Sequence, residues 1–344
     1  KPYMLLQGKA LNENEIFAGF LFYPRNLILL CTPFFIFLIN GTRYILKNKS
    51  REIQILLVFT PLINVFILML TASKYSHYGL FTIPLLASNA SFGIYESFKN
   101  KSISSAAVML TTNEIDEAAR FSIDNPSFDM GIHLTVTSEW KNHKWGGVLK
   151  NDDIGSILNS NNHLYWNKRK FTKHGKLDEV RKELQAQIDL GISMGFNPSH
   201  IDSHEGALFF DPEIFKLYLN LAEKNNLLAF VPIQASVHFD RNFKKPKHAI
   251  IIDQFHMLPE GIEVNEIKKY YFDVIENLKP GLSQIIIHLG KDEEELRKIT
   301  VDHPNFDYRW RQLDFDIFNS DEFKSHLKEN NIKIITWKDL KKLI

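Results

Sequence analysis

The chain has 344 residues and a net charge of +1, from 41 basic and 40 acidic side chains. That balance excludes a protein built mainly to hold nucleic acid, which needs a basic surplus. A single cysteine, Cys31, excludes an internal disulfide and a cysteine-rich metal site, while thirteen histidines leave room for a histidine–carboxylate one.

The first residue is Lys rather than Met, as expected of a piece of a longer chain. Residues 16–40 carry one charge, Arg25, and residues 53–73 carry none. A helix crosses the bilayer core with about 20 apolar residues, and Pro33 and Pro61 are tolerable inside such helices. Both runs are therefore expected to span, with two buried helices as the alternative. Residues 1–88 then form an α-helical transmembrane region whose partner is a lipid bilayer, and a bacterial inner membrane is the expected location. Arg43, Lys47, Lys49 and Arg51 lie between the spans and place that loop in the cytoplasm. The side on which the remainder lies is left open.

From residue 89 onward the pattern changes. Residues 89–100 read as a short helix, 103–110 as a strand, 113–124 as a helix capped by Asn113, and 128–136 as a strand. Residues 176–195 read as a helix, with Leu177, Val180, Leu184 and Ile188 at helical spacing. Strand 199–203, helix 212–225 and strand 228–233 follow. A helix over 263–278 leads into strand 283–288, and helix 321–330, strand 332–337 and a terminal helix close the chain. Alternating helices and apolar strands predict an α/β domain over 89–344, its parallel sheet open or closed into a barrel.

Three expected strands finish on histidine: His133, His204 and His288. In parallel α/β folds the carboxyl ends of strands meet at one rim, where ligands bind. Two imidazoles and a carboxylate make an open site for a divalent ion. In "PSHIDSHEG", Asp202 shares a strand face with His204 and is placed to orient a ligand. His200 lies further back on that face, with buried packing as its alternative role. The paired acids of "NDDIG", Asp152 and Asp153, sit in a polar stretch that reads as a surface loop.

The stretches "NASFGIYESFKNKSISSAAVML", "DMGIHLTVTSEWKN", "PSHIDSHEGALF", "LKPGLSQIIIHLGKDEEELRKITVDHP" and "NIKIITWKDL" resemble the YdjC-like carbohydrate deacetylases, from about residue 89 to the C-terminus. The resemblance implies a distorted β/α barrel, a divalent metal (Mg or Zn), and removal of an acetyl group from an N-acetylated sugar or oligosaccharide. It puts His133 and His204 on the family's metal histidines and gives Asp202 a supporting role in catalysis. It makes His288 the general acid for the leaving amine and sets Arg309 near an arginine that shapes the substrate site. One departure is large. The family opens with a strand ending in an Asp-Asp pair, which supplies a metal ligand and the base. Residues 78–88, "YGLFTIPLLAS", hold no acid. The expectation is a barrel lacking its first strand and an impaired deacetylase. The front segment, "SKYSHYGLFTIPLLA" after two apolar runs, resembles the membrane region of glycosyltransferases that use lipid-linked sugars, the protein-mannosyltransferase and aminoarabinose-transferase group. Two alternatives follow. One is a non-catalytic membrane-tethered sugar binder using Trp140, Trp145 and Trp166; the other is a nonfunctional chimera.

Overall fold

The computed structural model describes residues 94–239, 244–301, 303 and 305–344. The expected transmembrane region, its two spans and the acid-free stretch 78–88 lie outside the described residues. Among the described residues no helix is long and apolar enough to cross a membrane.

Five parallel strands form one sheet in chain order: β1 (Ala106–Val108), β2 (Met130–Leu134), β3 (His200–Ser203), β4 (Leu228–Pro232) and β5 (Ala249–Ile252). Asp253 alone separates β5 from β6 (Gln254–Met257), which pairs in parallel with β7 (Ser283–Ile286). The chain thus passes from one ladder into the next across a single residue. Asp253 marks that break: its backbone N–H bonds the carbonyl of Leu282, and its carboxylate accepts from the N–H of Leu282. The result is an α/β fold whose parallel ladders follow one another as an open arc, consistent with a barrel-like domain. Among the described residues β1 is an edge strand.

Burial explains the strand sequences. Ile132 and Leu134 of β2, Ile201 of β3, and Leu228, Ala229 and Val231 of β4 are fully buried, as expected of parallel strands covered on both faces. Helix Leu177–Ser193 covers β2 through Val180, Leu184 and Ile188, at the predicted spacing. Helix Pro212–Lys224 is started by Asp211, whose carboxylate accepts from the N–H groups of Glu213 and Ile214. It is pinned to the sheet by Tyr218, whose hydroxyl lies 2.8 Å from the carbonyl of Ile201 and 2.9 Å from that of Phe230.

The two ends of the arc are tied by side chains. Asn319 donates to Ser97 Oγ at 2.9 Å, and the backbone N–H of Lys338 donates to Asp129 at 3.1 Å. The Lys338 ammonium reaches the carbonyl of Phe128 at 2.6 Å.

Three expectations need correction. Asn113 is not a cap: the helix Ile115–Asp124 starts after Glu114, with no side-chain bond there. Residues 332–336 form no ladder; they lead instead into helix Trp337–Lys341, which Thr336 and Asp339 close with a reciprocal capping box. Asp152 and Asp153 lie not in a loop but in the short helix Asn151–Ile154, where both are exposed. Strands β5 and β6 and the helices Lys168–His174, Glu294–Thr300 and Tyr308–Asn319 were not expected at all.

Gly131 of β2 faces the His200 ring, and a Cβ there would sit 2.4 Å from it. That ring cannot retreat: it stacks on Trp337 at 4.7 Å between centroids and 11° between planes, and its Nδ1 bonds Ser199 Oγ at 2.8 Å. Gly131→Ala is therefore expected to lower unfolding free energy by about 1–3 kcal/mol through overpacking. Urea denaturation of the two proteins measures it, and an unchanged midpoint would contradict this packing.

Candidate functional site

The register of β2 and β3 builds the site. His133 is the cross-strand partner of Asp202, so both side chains leave the sheet on one face, side by side. Asp202 Oδ1 lies 2.6 Å from His133 Nδ1. Asp202 is buried, and its partner imidazole is three-quarters so (9% and 24% of the side chains exposed). Burial alone would pull the His133 pKa down, but the Asp202 charge and hydrogen bond, with help from Glu139, raise it above its ordinary value. Asp202 shows the converse. Burial favours its neutral form, yet the facing imidazole holds its carboxyl below the usual range. His200, two residues back, is occupied by Ser199 and Trp337, and burial lowers its pKa. Its role is packing.

His204 follows β3 directly, where the chain turns sharply. Glu205 and Gly206 both take left-handed backbone conformations, with φ of 52° and 64°. Glycine takes that conformation freely, whereas for Glu205 it is strained. The turn swings the His204 ring over His133, edge to face, with centroids 5.2 Å apart. His204 Nδ1 then lies 3.2 Å from His133 Nε2, and its Nε2 lies 2.8 Å from Glu139 Oε2.

Glu139 arrives on the loop after β2, and polar bonds hold that loop in place. Gln187 bonds both the N–H and the carbonyl of Thr135, at 2.9 and 2.7 Å. Ser138 N–H donates to the carbonyl of Tyr165 at 2.8 Å. The buried Trp145 indole donates to the carbonyl of Thr137 at 2.8 Å and flanks the His204 ring. Further on, the fully buried Glu183 accepts from the N–H groups of Val148 and Leu149 at 2.8 and 3.0 Å. Burial pushes the Glu139 carboxyl up, but the hydrogen bond and charge of His204 outweigh it and the net shift is downward.

His288 lies just past β7, within electrostatic reach of His133 and His204. Burial, then the positive charges of Arg311, His133 and His204, hold its pKa down at about 3. Its backbone N–H donates to Asp314 Oδ2 at 2.7 Å, and the other Asp314 oxygen accepts from the Tyr271 hydroxyl at 2.7 Å.

Arg309 does not face this cluster. Its guanidinium forks onto Asp307 at 2.9 and 2.6 Å and is more than half exposed. Arg311 takes the inward position. It donates to the carbonyl of Phe306 at 2.8 Å, lies over the Trp140 ring at 5.3 Å, and bears electrostatically on His288. Both sit on helix Tyr308–Asn319, where two residues are about 200° of rotation, so the side chains leave on opposite faces. Of the three tryptophans, Trp145 is buried, Trp166 is exposed, and Trp140 stands at the cluster against His303 at 5.0 Å.

Two donor sets can hold a cation. One is the facing pair His133 Nε2 and His204 Nδ1. The other is Glu139, His204 and Glu205, whose donor atoms lie within 4.8 Å of one another. Sequence reasoning missed both acids. The signals were present: Glu139 follows His133 by six residues in "HLTVTSE", and Glu205 follows His204 directly.

The fold and the cluster define an α/β domain built on parallel ladders, with imidazoles and carboxylates gathered at the carboxyl ends of β2 and β3. The chain belongs to the YdjC-like protein family, whose profile matches residues 86–329. It is 24% identical to carbohydrate deacetylase 1 of Listeria innocua over 263 residues, 74% of this chain and 96% of that protein. It is 30% identical to a carbohydrate deacetylase of Geobacillus stearothermophilus over 142 residues, 40% of this chain and 51% of that protein. Among solved structures it matches a protein of Enterococcus faecalis named for cellobiose-phosphate cleavage, with a TM-score of 0.59 at 21% identity, covering 73% of this chain and 93% of that one. That likeness concerns the fold alone.

Asp314 is the outlying acid. Burial raises its pKa to about 6, against the bonds from His288 and Tyr271. The native state therefore keeps a proton that the unfolded chain, with a carboxyl near 3.9, has released. The stability this group contributes is full below about pH 4 and is lost as pH rises through about 6. Asp314→Asn lacks that decline. The stability difference between wild type and variant should shrink from about pH 4 to about pH 7 in urea unfolding; a constant difference would refute it.

Proposed function

We propose that this chain is a metal-dependent carbohydrate deacetylase that removes the acetyl group of an N-acetylated sugar or oligosaccharide. One observation carries the reading: two imidazoles from adjacent strands face each other at 3.2 Å, each held from behind by a carboxylate. Nitrogens that both bind one tetrahedral ion at about 2.0–2.1 Å lie about 3.4 Å apart. The donor set suits zinc, and magnesium if further oxygens join it.

A divalent ion on His133 and His204 would supply Lewis acidity and a water of lowered pKa. The protein's own groups then have defined tasks. Asp202 and Glu139 hold the two rings in orientation. His288 starts neutral, with one lone pair and one N–H, so it does not begin as an acid. It takes a proton from the attacking water as the new C–O bond forms, and passes it to the nitrogen as the amide C–N bond breaks. Acetate and a free amine result. Burial, then the Arg311 charge, keep the resting His288 ring in its neutral form. Trp140, with Arg311 over one face, offers an edge against which a sugar ring can pack.

We infer that turnover is low compared with relatives that carry the opening Asp-Asp pair, since residues 78–88 contain no acid. The apolar runs 16–40 and 53–73 support attachment to a bacterial inner membrane, and the front segment supports kinship with the membrane part of lipid-linked-sugar transferases. N-acetylglucosamine oligomers incubated with the chain and Zn²⁺ or Mg²⁺ are expected to release acetate slowly. Chelation or His204→Ala should abolish release, and His288→Ala should lower it by about 10²- to 10⁴-fold. Release that survives both chelation and His204→Ala would sink the hydrolase reading. Saccharide binding without turnover, unaffected by chelation, would replace it with a sugar-binding role.

A further inference from the structure

The two carboxylates behind the imidazoles differ in what sequence made of them: Asp202 was expected and Glu139 was not. Glu139 can act on a cation in two ways. It can bind the ion directly on the Nε2 side of His204, together with Glu205. Or it can accept the Nε2 proton and so direct the Nδ1 lone pair toward His133. A single His204 ring nitrogen cannot do both.

The distances separate the two. His204 Nε2 and Glu139 Oε2 are 2.8 Å apart, the length of a charge-assisted N–H···O bond, about 2.7–2.9 Å. That is short of the roughly 3.4 Å between two ligands of one tetrahedral ion. The His133 Nε2 to His204 Nδ1 distance of 3.2 Å is close to that spacing. His133 presents Nε2 because its Nδ1 is taken by Asp202 at 2.6 Å. If Glu139 takes the Nε2 proton of His204, the His204 Nδ1 lone pair faces His133 Nε2 across 3.2 Å, a contact that either a shared proton or a bound cation makes favourable. The surroundings fit such a pairing. The His204 and Glu139 side chains are 12% and 19% exposed, so little water competes for the bond, whereas Glu205 is exposed to solvent.

We propose that Glu139 is a positioning residue that fixes His204 with its proton on Nε2, so that the ion is bound by His204 through Nδ1 and by His133 through Nε2. This rests on the metal-dependent reading above and deepens it. It makes the site a matched pair of carboxylate–imidazole units of opposite ring sense: Asp202 holds the δ nitrogen of one ring and Glu139 the ε nitrogen of the other. Glu139 sits where it can serve this end only because the His204 turn points Nε2 back at the loop after β2.

The test is long-range ¹H–¹⁵N NMR of the full chain with ¹⁵N-labelled histidine, His204 being assigned by the signals lost in His204→Gln. Without metal, the His204 proton is expected on Nε2. Added Zn²⁺ should shift His204 Nδ1 and His133 Nε2. A Zn²⁺ shift at His204 Nε2 overturns the proposal and moves the ion to Glu139 and Glu205, leaving the metal-dependent reading intact. No Zn²⁺ shift at either histidine overturns both. The second arm is Zn²⁺ affinity by competition with a chelating dye. Glu139→Ala should weaken binding by about 10- to 100-fold, while Glu139→Gln should keep most of it, because the amide oxygen still accepts the Nε2 proton. Equal losses in Ala and Gln would mean that the charge itself binds the ion, and would overturn the proposal.

Discussion

The pairing of β2 with β3 is the constraint on which the candidate site rests. Because His133 stands opposite Asp202 in the ladder, their contact follows from backbone registry and not from loop geometry. A slip of one residue would turn every side chain of β3 to the other face. It would turn Ile201 out of its packing onto the face that holds the imidazoles and remove Asp202 from His133 together, so the core and the site reject the same error. The buried Asp202 carboxylate would be costly alone, since an unpaired buried charge costs about 3–5 kcal/mol when its partner is removed. The imidazole at 2.6 Å answers that cost.

Around this pair the protein spends buried polar groups to hold the loop that carries Glu139. Gln187 and Glu183 lie on the same helix face as Leu184 and Ile188, fully buried, where an aliphatic residue would be the simpler choice. Gln187 bonds Thr135, two residues beyond His133, and also Glu183 at 2.9 Å, which in turn accepts from Val148 and Leu149. Such a network must be complete to be tolerable. The described bonds complete it for Glu183 and Gln187, and the chain from strand end to loop becomes one hydrogen-bonded piece. Rigid support of this kind is what an orienting carboxylate needs, because a small displacement would exchange its bond for one to water.

What could be read from sequence follows from which signals are local. Helix Leu177–Ser193 was legible because Val180, Leu184 and Ile188 repeat at the helical period, and β2 and β3 were legible as short segments bounded by helices and carrying histidines near their carboxyl ends. The meeting of His133 and His204 was legible from the rule that parallel strands gather their carboxyl ends. The break at Asp253 was not, since a strand that changes ladders across one residue reads as a single apolar run or as none. Arg309 and Arg311 are equally basic and nearly adjacent; only the phase of a helix beginning at Tyr308 decides which one faces inward, and that helix was not foreseen. Glu139 was invisible for another reason. Its link to His204 spans 65 residues and depends on the left-handed turn at Glu205 and Gly206, which no periodicity announces.

The position of Glu139 also bears on how a family site can tolerate change at its front. A carboxylate on the opening strand would approach the ion from the side of β1, the edge strand among the described residues. Glu139 approaches from beyond β2, through the imidazole, and belongs to a loop anchored by helix Leu177–Ser193. The two inputs are structurally independent. On the proposed reading, loss of the first removes a direct ligand and a base, whereas the described carboxylate bonds to His133 and His204 come from Asp202 and Glu139. Ion binding and proton transfer are therefore separable in this architecture. On the proposed reading the imidazole pair persists as a cation site while chemistry weakens, and the nearby His288 stays neutral because burial, then Arg311, hold its pKa near 3.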